Sequence, residues 1–450
     1  MRSRVVILIV IVGVGAALWG VRQARISRKP AYSEDPPRIL IIGVDGIDWD
    51  RLDARITDGA MPNIGRLRDS GASGVHHSIY PYYSPVIWTS MATGKGEDKH
   101  GVHGFKAGLR ASSSDGLVDS NDRKVKAFWQ ILSEAGRTVG VINWLVTWPA
   151  EEVSGYLISS RACMFLHMKT SMDSGQPEME AMRPGVYPPE LWDTVLTFRR
   201  GREAVGDDRI AGLLASPDYS DERLTTAAVE QLARIYADDL TVQNIARNMM
   251  QNAPTDVTAV YFRGSDIISH FFWKYMEPES WGQELEEKDV YALGQVIDRY
   301  YASVDSIVGT VLDLRGPNTV VVFCSDHGFA GHSGYPGFEG GVARGIQMHR
   351  EEGVIILNGP GIVAGAEIEG ASPLDLTPTV LALSGLPVAE DMDGRVLTEA
   401  IDPVFFEYHP LSTIGTYESA SASADEGEET LSSPIDDKVV EQLRAIGYIN

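Results

Sequence analysis

The 450-residue chain has only two cysteines, Cys163 and Cys324, far apart and in no CxxC spacing. That argues against a disulfide scaffold and against a thiolate zinc site. Base is also scarce: 39 Lys and Arg stand against 62 Asp and Glu, a net charge of −23. Such a balance repels phosphate polymers and leaves no basic footprint for a nucleic-acid partner. A small anionic substrate would need metal cations or a local positive field. No internal repeat is evident. With 44% apolar and 22% charged residues, collagen, wholesale disorder and a polytopic membrane protein are also disfavoured. The length suits two or three domains, or one large α/β core with an insertion.

One long apolar run is present. Val5 to Val21 is uncharged over 17 residues, at the lower limit for a helix crossing a ~30 Å hydrocarbon layer. Arg2 and Arg4 precede it, and Arg22, Arg25, Arg28 and Lys29 follow it, a flanking pattern suited to lipid headgroups. Residues 1–30 are therefore read as a membrane anchor. A cleaved export signal, cut near Gly15, Ala16 and Ala17, is the alternative. The positive-inside count, taken literally, does not favour export of the body.

After Pro36-Pro37, short β-branched runs alternate with helical patterns, which predicts an α/β fold with a largely parallel sheet flanked by helices over about 36–410. The expected strands are 39–44, 138–143, 258–262, 319–324 and 353–358. Helical patterns cover about 226–250 and 291–314, the second with Ile297, Tyr301, Val304, Val308 and Val311 on one face. Residues 163–225 lose the alternation and are read as an inserted cap. From 418 to 437 there are seven acids and no base, which predicts a flexible tether. The ending, 438–450, reads as a short amphipathic helix that docks back on the core.

In open α/β sheets ligands bind at the carboxyl ends of strands. Metal-type ligands follow three of the expected strands: Asp45, Asp266, and Asp326 with His327. Any one of these acids could serve instead as a cap or turn former. Asp266 and His270 are four apart in a sequence able to form a helical turn, so they share a face. His349 completes a set of nitrogen and oxygen donors, with His332 as its competitor. Three Asp and three His without thiolate suit Zn²⁺, with Mn²⁺ as the alternative. Ser84 precedes Pro85, which reads as a helix N-cap followed by Pro at the first helical position. A hydroxyl there also sits in positive potential and would be activated further by a nearby metal.

These residues together resemble the alkaline phosphatase superfamily and, within it, the type I phosphodiesterase/nucleotide pyrophosphatase branch. The resemblance covers about residues 38–398 and is carried by IIGVDG with Asp45, by Ser84 ten residues before Gly94, and by the DxxxH pair Asp266 and His270. The SDHG motif with Asp326 and His327, and the later His349, complete it. It implies that Asp266, His270 and His349 hold one divalent ion and that Asp45, Asp326 and His327 hold a second, which also binds Ser84. Ser84 would then become a phosphoserine. Nucleotide-cleaving members tend to have Asn where Phe105 stands. Lys95 and His103 are candidates to compensate, and Trp144 belongs to a group of aromatic residues, with Tyr82, Tyr83, Trp88 and Trp148, that could line a pocket. Sulfatases of the superfamily need xPxR after the modified residue; here Pro85-Val86-Ile87-Trp88 follows.

The expected function is metal-dependent hydrolysis of a small phosphorylated substrate, a phosphodiester or monoester, by a body facing the periplasm or exterior. The alternatives are a transferase moving phosphorylated headgroups onto lipid or glycan, and a retired enzyme kept as a binding module.

Overall fold

The computed structural model describes residues 33–107, 116–168, 180–214, 222–281, 285–331, 345–418 and 433–449. The apolar run Val5 to Val21, most of the acidic segment 418–437 and His332 lie outside the described residues. Among the described residues no helix is long and apolar enough to cross a membrane.

Eight strands form one sheet. In chain order they are β1 (Arg38–Val44), β2 (Ala72–His77), β3 (Val139–Ile142), β4 (Gly155–Ile158), β5 (Val186–Tyr187), β6 (Val257–Phe262), β7 (Thr319–Cys324) and, after a two-strand ribbon of β8 (Gly328–Phe329) and β9 (His349–Arg350), β10 (Glu352–Asn358). The spatial order is β2-β10-β7-β1-β6-β3-β4-β5. Strands β7, β1, β6, β3 and β4 run parallel, with Ile39 level with Val257 on one side and Val320 on the other. Antiparallel β10 and β5 sit toward the two edges.

Period-two alternation along β1 supplies both faces. Leu40, Ile42 and Val44 enter one buried cluster, and Ile39 and Ile41 enter the other. The helices that use these faces are α1 (Ser84–Thr93), α2 (Ser160–Met168), α3 (Glu222–Asn252), α4 (Gly264–Met276), α5 (Val296–Leu312), α6 (Leu376–Leu383) and α7 (Asp436–Ala445). The first cluster takes Ile245 of α3 and Val304 of α5; the second takes Trp88 of α1 and Val380 of α6. Each fully buried aliphatic side chain contributes about 1.5–3 kcal/mol, so burial on both faces holds the layers together. The parallel strands consequently read as near-continuous apolar runs.

All five expected strands are present. The sequence pattern missed β2, β4 and β5. In β2, ASGVHH carries no apolar run, and Gly74 is required because a Cβ there would lie 2.0 Å from the Ile368 carbonyl oxygen. Residues 163–225 include β5, which pairs with β4, and Trp192, Val195 and Ile210, which join the first cluster. The helix expected over 291–314 is divided: Glu287–Leu293 ends at Gly294, and α5 begins at Val296. A side chain at Gly294 would meet the Val290 and Tyr275 carbonyls.

One core group sets a pH dependence. Asp239 of α3 is buried and accepts a hydrogen bond from the Tyr300 hydroxyl at 2.8 Å, while its Oδ1 has no partner. Burial pushes its carboxyl up to about 7. A carboxyl raised in the folded state costs stability as pH climbs from its unfolded to its folded value. Asp239→Asn should therefore raise Tm relative to wild type near pH ~8, with the gain shrinking toward pH ~5. A gain independent of pH would mean that repacking, not ionisation, is responsible.

Candidate active site

The carboxyl ends of β1, β6 and β7 lie side by side, so the residues that follow them converge. Asp45 follows β1, Asp266 and His270 occupy the first turns of α4 after β6, and Asp326 and His327 follow β7. The ribbon β8–β9 turns back with Phe329 opposite His349 and brings that histidine in. Gly46 makes the approach possible: its φ is +65°, and a Cβ there would lie 3.0 Å from Cα and Cβ of Asp266.

Two groups result. His327 Nε2 lies 3.4 Å from Asp45 Oδ1 and 3.3 Å from Asp326 Oδ2. Asp266 Oδ1 lies 3.2 Å from His270 Nε2 and 3.3 Å from His349 Nε2, and the two imidazole nitrogens are 3.1 Å apart. The rings of His327 and His349 stack at 3.6 Å, which joins the groups. All six side chains are at least 95% buried.

Several of these atoms lack partners. Asp45 Oδ1, Asp266 Oδ1, Asp326 Oδ2 and His327 Nε2 are buried without a hydrogen bond. Each such orphan costs about 1–3 kcal/mol, more when charged. Their other edges are held. The Tyr261 hydroxyl donates to Asp45 Oδ2, and the Gly46 N–H donates to Asp326 Oδ1 at 3.1 Å. His327 Nδ1–H donates to the Gly328 carbonyl at 3.0 Å, and His349 Nδ1–H to the Tyr82 carbonyl at 2.9 Å. Carbonyls only accept, so Nδ1 is the protonated donor in each ring and Nε2 is the nitrogen turned to the cluster, where a cation would take the place of any proton on it. Metal-binding histidines are oriented in this way. The donor set suits divalent cations, and the pattern of orphans is what such ions would relieve.

Electrostatics agree. Burial, with Asp45 beside it, pushes the Asp326 carboxyl well above the usual range. Burial opposes charge on His327, but Asp326 and Asp45 hold its imidazolium up to about 10. Burial and neighbouring His327 push His349 down to about 3. Despite its burial, Asp266 is held well below the usual range by His270 and His349. Crowded carboxylates borrow protons that cations would replace.

Ser84 differs from its expected place. Tyr83 is the N-cap of α1, Ser84 is the first helical residue, and no side chain caps the helix. The Ser84 hydroxyl is buried and without a partner. It lines a cavity of about 790 Å³ together with Asp45 and Asp266. The capping explanation for this serine therefore falls away.

The four candidate substrate contacts divide. Phe105 lines the cavity and stacks on Tyr448 at 4.8 Å. Lys95 turns its ammonium to Asp391 at 2.8 Å and Glu418 at 3.0 Å and is not among the cavity walls, because those carboxylates neutralise it in place. His103 is exposed beside Glu97. Trp144 is core: its Nε1–H donates to the Trp88 carbonyl at 3.1 Å, and its ring meets that of Trp88 edge-on. Three contributors went unread in the sequence, namely the Tyr82 carbonyl, Tyr261 and Tyr448. Tyr261 had a signal, a phenol hydroxyl next to the carboxyl end of a buried strand whose only other polar side chain, Thr258, lies near its start. Tyr261→Phe should weaken metal binding by about 10–100-fold while the fold is retained. Metal titration of the chelated protein checks this, and an unchanged affinity would remove Tyr261 from the support of Asp45.

Comparison with known proteins gives one family match and distant structural likenesses. The model of the type I phosphodiesterase / nucleotide pyrophosphatase family matches residues 39–370. A protein of Bacteroides thetaiotaomicron described as a sulfatase aligns at 14% identity and a TM-score of 0.49, covering 85% of this chain and 76% of its own. Phosphonoacetate hydrolase of Sinorhizobium meliloti aligns at 18% identity and a TM-score of 0.36, covering 66% of this chain and 58% of its own.

Proposed function

Since the chain belongs to the type I phosphodiesterase / nucleotide pyrophosphatase family, a family of phosphoester hydrolases, we propose that it hydrolyses a small phosphate ester at a two-cation site through a phosphoserine on Ser84. The observation that carries this is the set of buried, partnerless donor atoms on Asp45, Asp266, Asp326 and His327 beside an equally partnerless Ser84 hydroxyl. Asp266, His270 and His349 would hold one ion, and Asp45, Asp326 and His327 the other. Nitrogen and oxygen donors without thiolate suit Zn²⁺, with Mn²⁺ the alternative. Divalent ions held by these residues would supply positive charge that stabilises a reacting phosphoryl group.

The chain's own groups do the rest. Ser84 Oγ sits at the positive end of α1, which favours its deprotonated form. It forms a bond to phosphorus while the bond from phosphorus to the leaving oxygen breaks, and the departing alcohol takes up a proton. A water oxygen then attacks the serine-bound phosphoryl group, the bond to Ser84 Oγ breaks, and Ser84 takes up a proton given by that water as phosphate leaves, or as a phosphomonoester leaves where the substrate was a diester. Tyr261 and the Tyr82 carbonyl hold Asp45 and His349 in register throughout.

The test is a paired rate measurement on an aryl phosphate and a diaryl phosphate, before chelation, after it, and after metal is added back. Activity on at least one substrate should vanish on chelation and return with metal. Turnover that survives chelation would overturn the proposal. The ratio of the two rates assigns monoester or diester preference.

A further inference from the structure

A residue near the end of the described chain, Tyr448, also reaches the ligand cluster. The Tyr448 hydroxyl donates to Asp266 Oδ2 at 2.7 Å and lies 2.7 Å from His270 Nε2 and 3.0 Å from His349 Nε2. These are three of the six residues assigned to cation binding. The phenol oxygen thus stands against all three members of one group, and among the described residues it is the oxygen that approaches all three.

Local structure puts it there. Helix α7 stops where Gly447 takes φ +83°, and the Tyr448 N–H returns to the Leu443 carbonyl at 2.8 Å. This is the glycine-ended turn that closes many helices, and it directs the next side chain back across the helix end. The turn is seated closely: a Cβ on Gly345 would lie 2.2 Å from the Gly447 carbonyl oxygen. The Tyr448 ring stacks on Phe105 at 4.8 Å and meets the His270 ring edge-on at the same distance. Further back, Arg161 pairs with Asp436 at 3.3 Å, and Ile435 and Val439 enter the core. Lys438, Gln442 and Ile446 form part of the cavity wall.

A cation centre that does chemistry needs one position left for water or substrate. Resting on the function proposed above, we infer that Tyr448 is a further active-site residue that fills this position on the Asp266, His270 and His349 side, so that a phosphoryl oxygen enters only by displacing it. The carboxyl-terminal segment 436–449 is then a resident competitor of the substrate. Apparent affinity for any phosphoryl ligand is lowered by the fraction of molecules in which Tyr448 is out. Phe105 changes partner in the exchange: the face that stacks on Tyr448 becomes available to substrate.

The experiment uses the full chain and inorganic phosphate as probe. Wild type, Tyr448→Phe and a chain ending at Gly447 are each loaded with metal, and metal content, phosphate affinity by calorimetry and hydrogen exchange over 436–449 are measured. Both variants should keep wild-type metal content and bind phosphate roughly 10–100-fold more tightly, the gain expected from losing about one charge-assisted hydrogen bond in the competing state. In wild type, phosphate should speed exchange over 436–449. Unchanged or weaker phosphate binding in the variants, or loss of metal from them, would overturn the inference and make Tyr448 a structural contact, or a group that ion retention requires, instead of a displaceable occupant. A wild-type protein that takes up no metal would strike the proposed function itself, a separate outcome read in the first measurement.

Discussion

Ser84→Ala should remain folded, keep its metal and lose nearly all turnover. The hydroxyl makes no hydrogen bond, so removing it breaks none, and the stability change should stay within about 1 kcal/mol. A capping serine would behave differently, costing about 1 kcal/mol or more on replacement by Ala and less on replacement by Gly. Loss of a covalent nucleophile acts on rate, on the order of a thousandfold or more, with residual catalysis from the remaining groups. Ser84→Gly should be equally inactive. If Ser84→Ala kept more than a few per cent of the wild-type rate, water rather than serine would be the attacking group.

Asp326→Asn should reverse its effect on stability with metal. Without metal, the Asp326 carboxyl is held well above its usual range by burial and by Asp45. A carboxyl so raised costs stability at neutral pH, and the amide removes that cost while its oxygen still accepts from Gly46. The chelated variant should therefore melt higher than chelated wild type. With metal the order inverts, because the variant binds at least one ion fewer and forgoes linkage worth about 4 kcal/mol at a thousandfold excess over Kd. Wild-type stabilisation by metal should itself fade as pH drops, since protons compete for the carboxylates and imidazoles. The same sign of change in both states, or unchanged metal content, would mean that Asp326 is not a ligand.

The parallel strands of the sheet centre were legible because burial on both faces leaves an apolar run, as in TVVVFC of β7. Strand β2 was not legible, because its place depends on the fit of Gly74 against a distant carbonyl. Asp45, Asp266, Asp326 and His327 could be picked out because chemistry at the carboxyl ends of parallel strands follows immediately in sequence. His349 was found with a rival, His332, since two-residue β9 gives no periodic signal. Residues that act through the backbone stayed hidden: nothing in PYYSPV says that the Tyr82 carbonyl will hold His349. Lys95 illustrates the opposite error. Its charge suggested substrate, but its partners, Asp391 and Glu418, lie about 300 residues onward, beyond any local pattern. Tyr448 lies behind a glycine that ends a helix, and only the folded chain shows where that turn points.

The central claim is that Ser84 carries the phosphoryl group. Its most direct test is rapid acid quench of the metal-loaded enzyme during turnover of an aryl phosphate, followed by mass mapping of the peptide containing Ser84. Phosphate should appear on that serine, in wild type and not in Ser84→Ala, and should disappear when metal is chelated beforehand. Turnover with no phosphate on any peptide, or with phosphate on another residue, would contradict it.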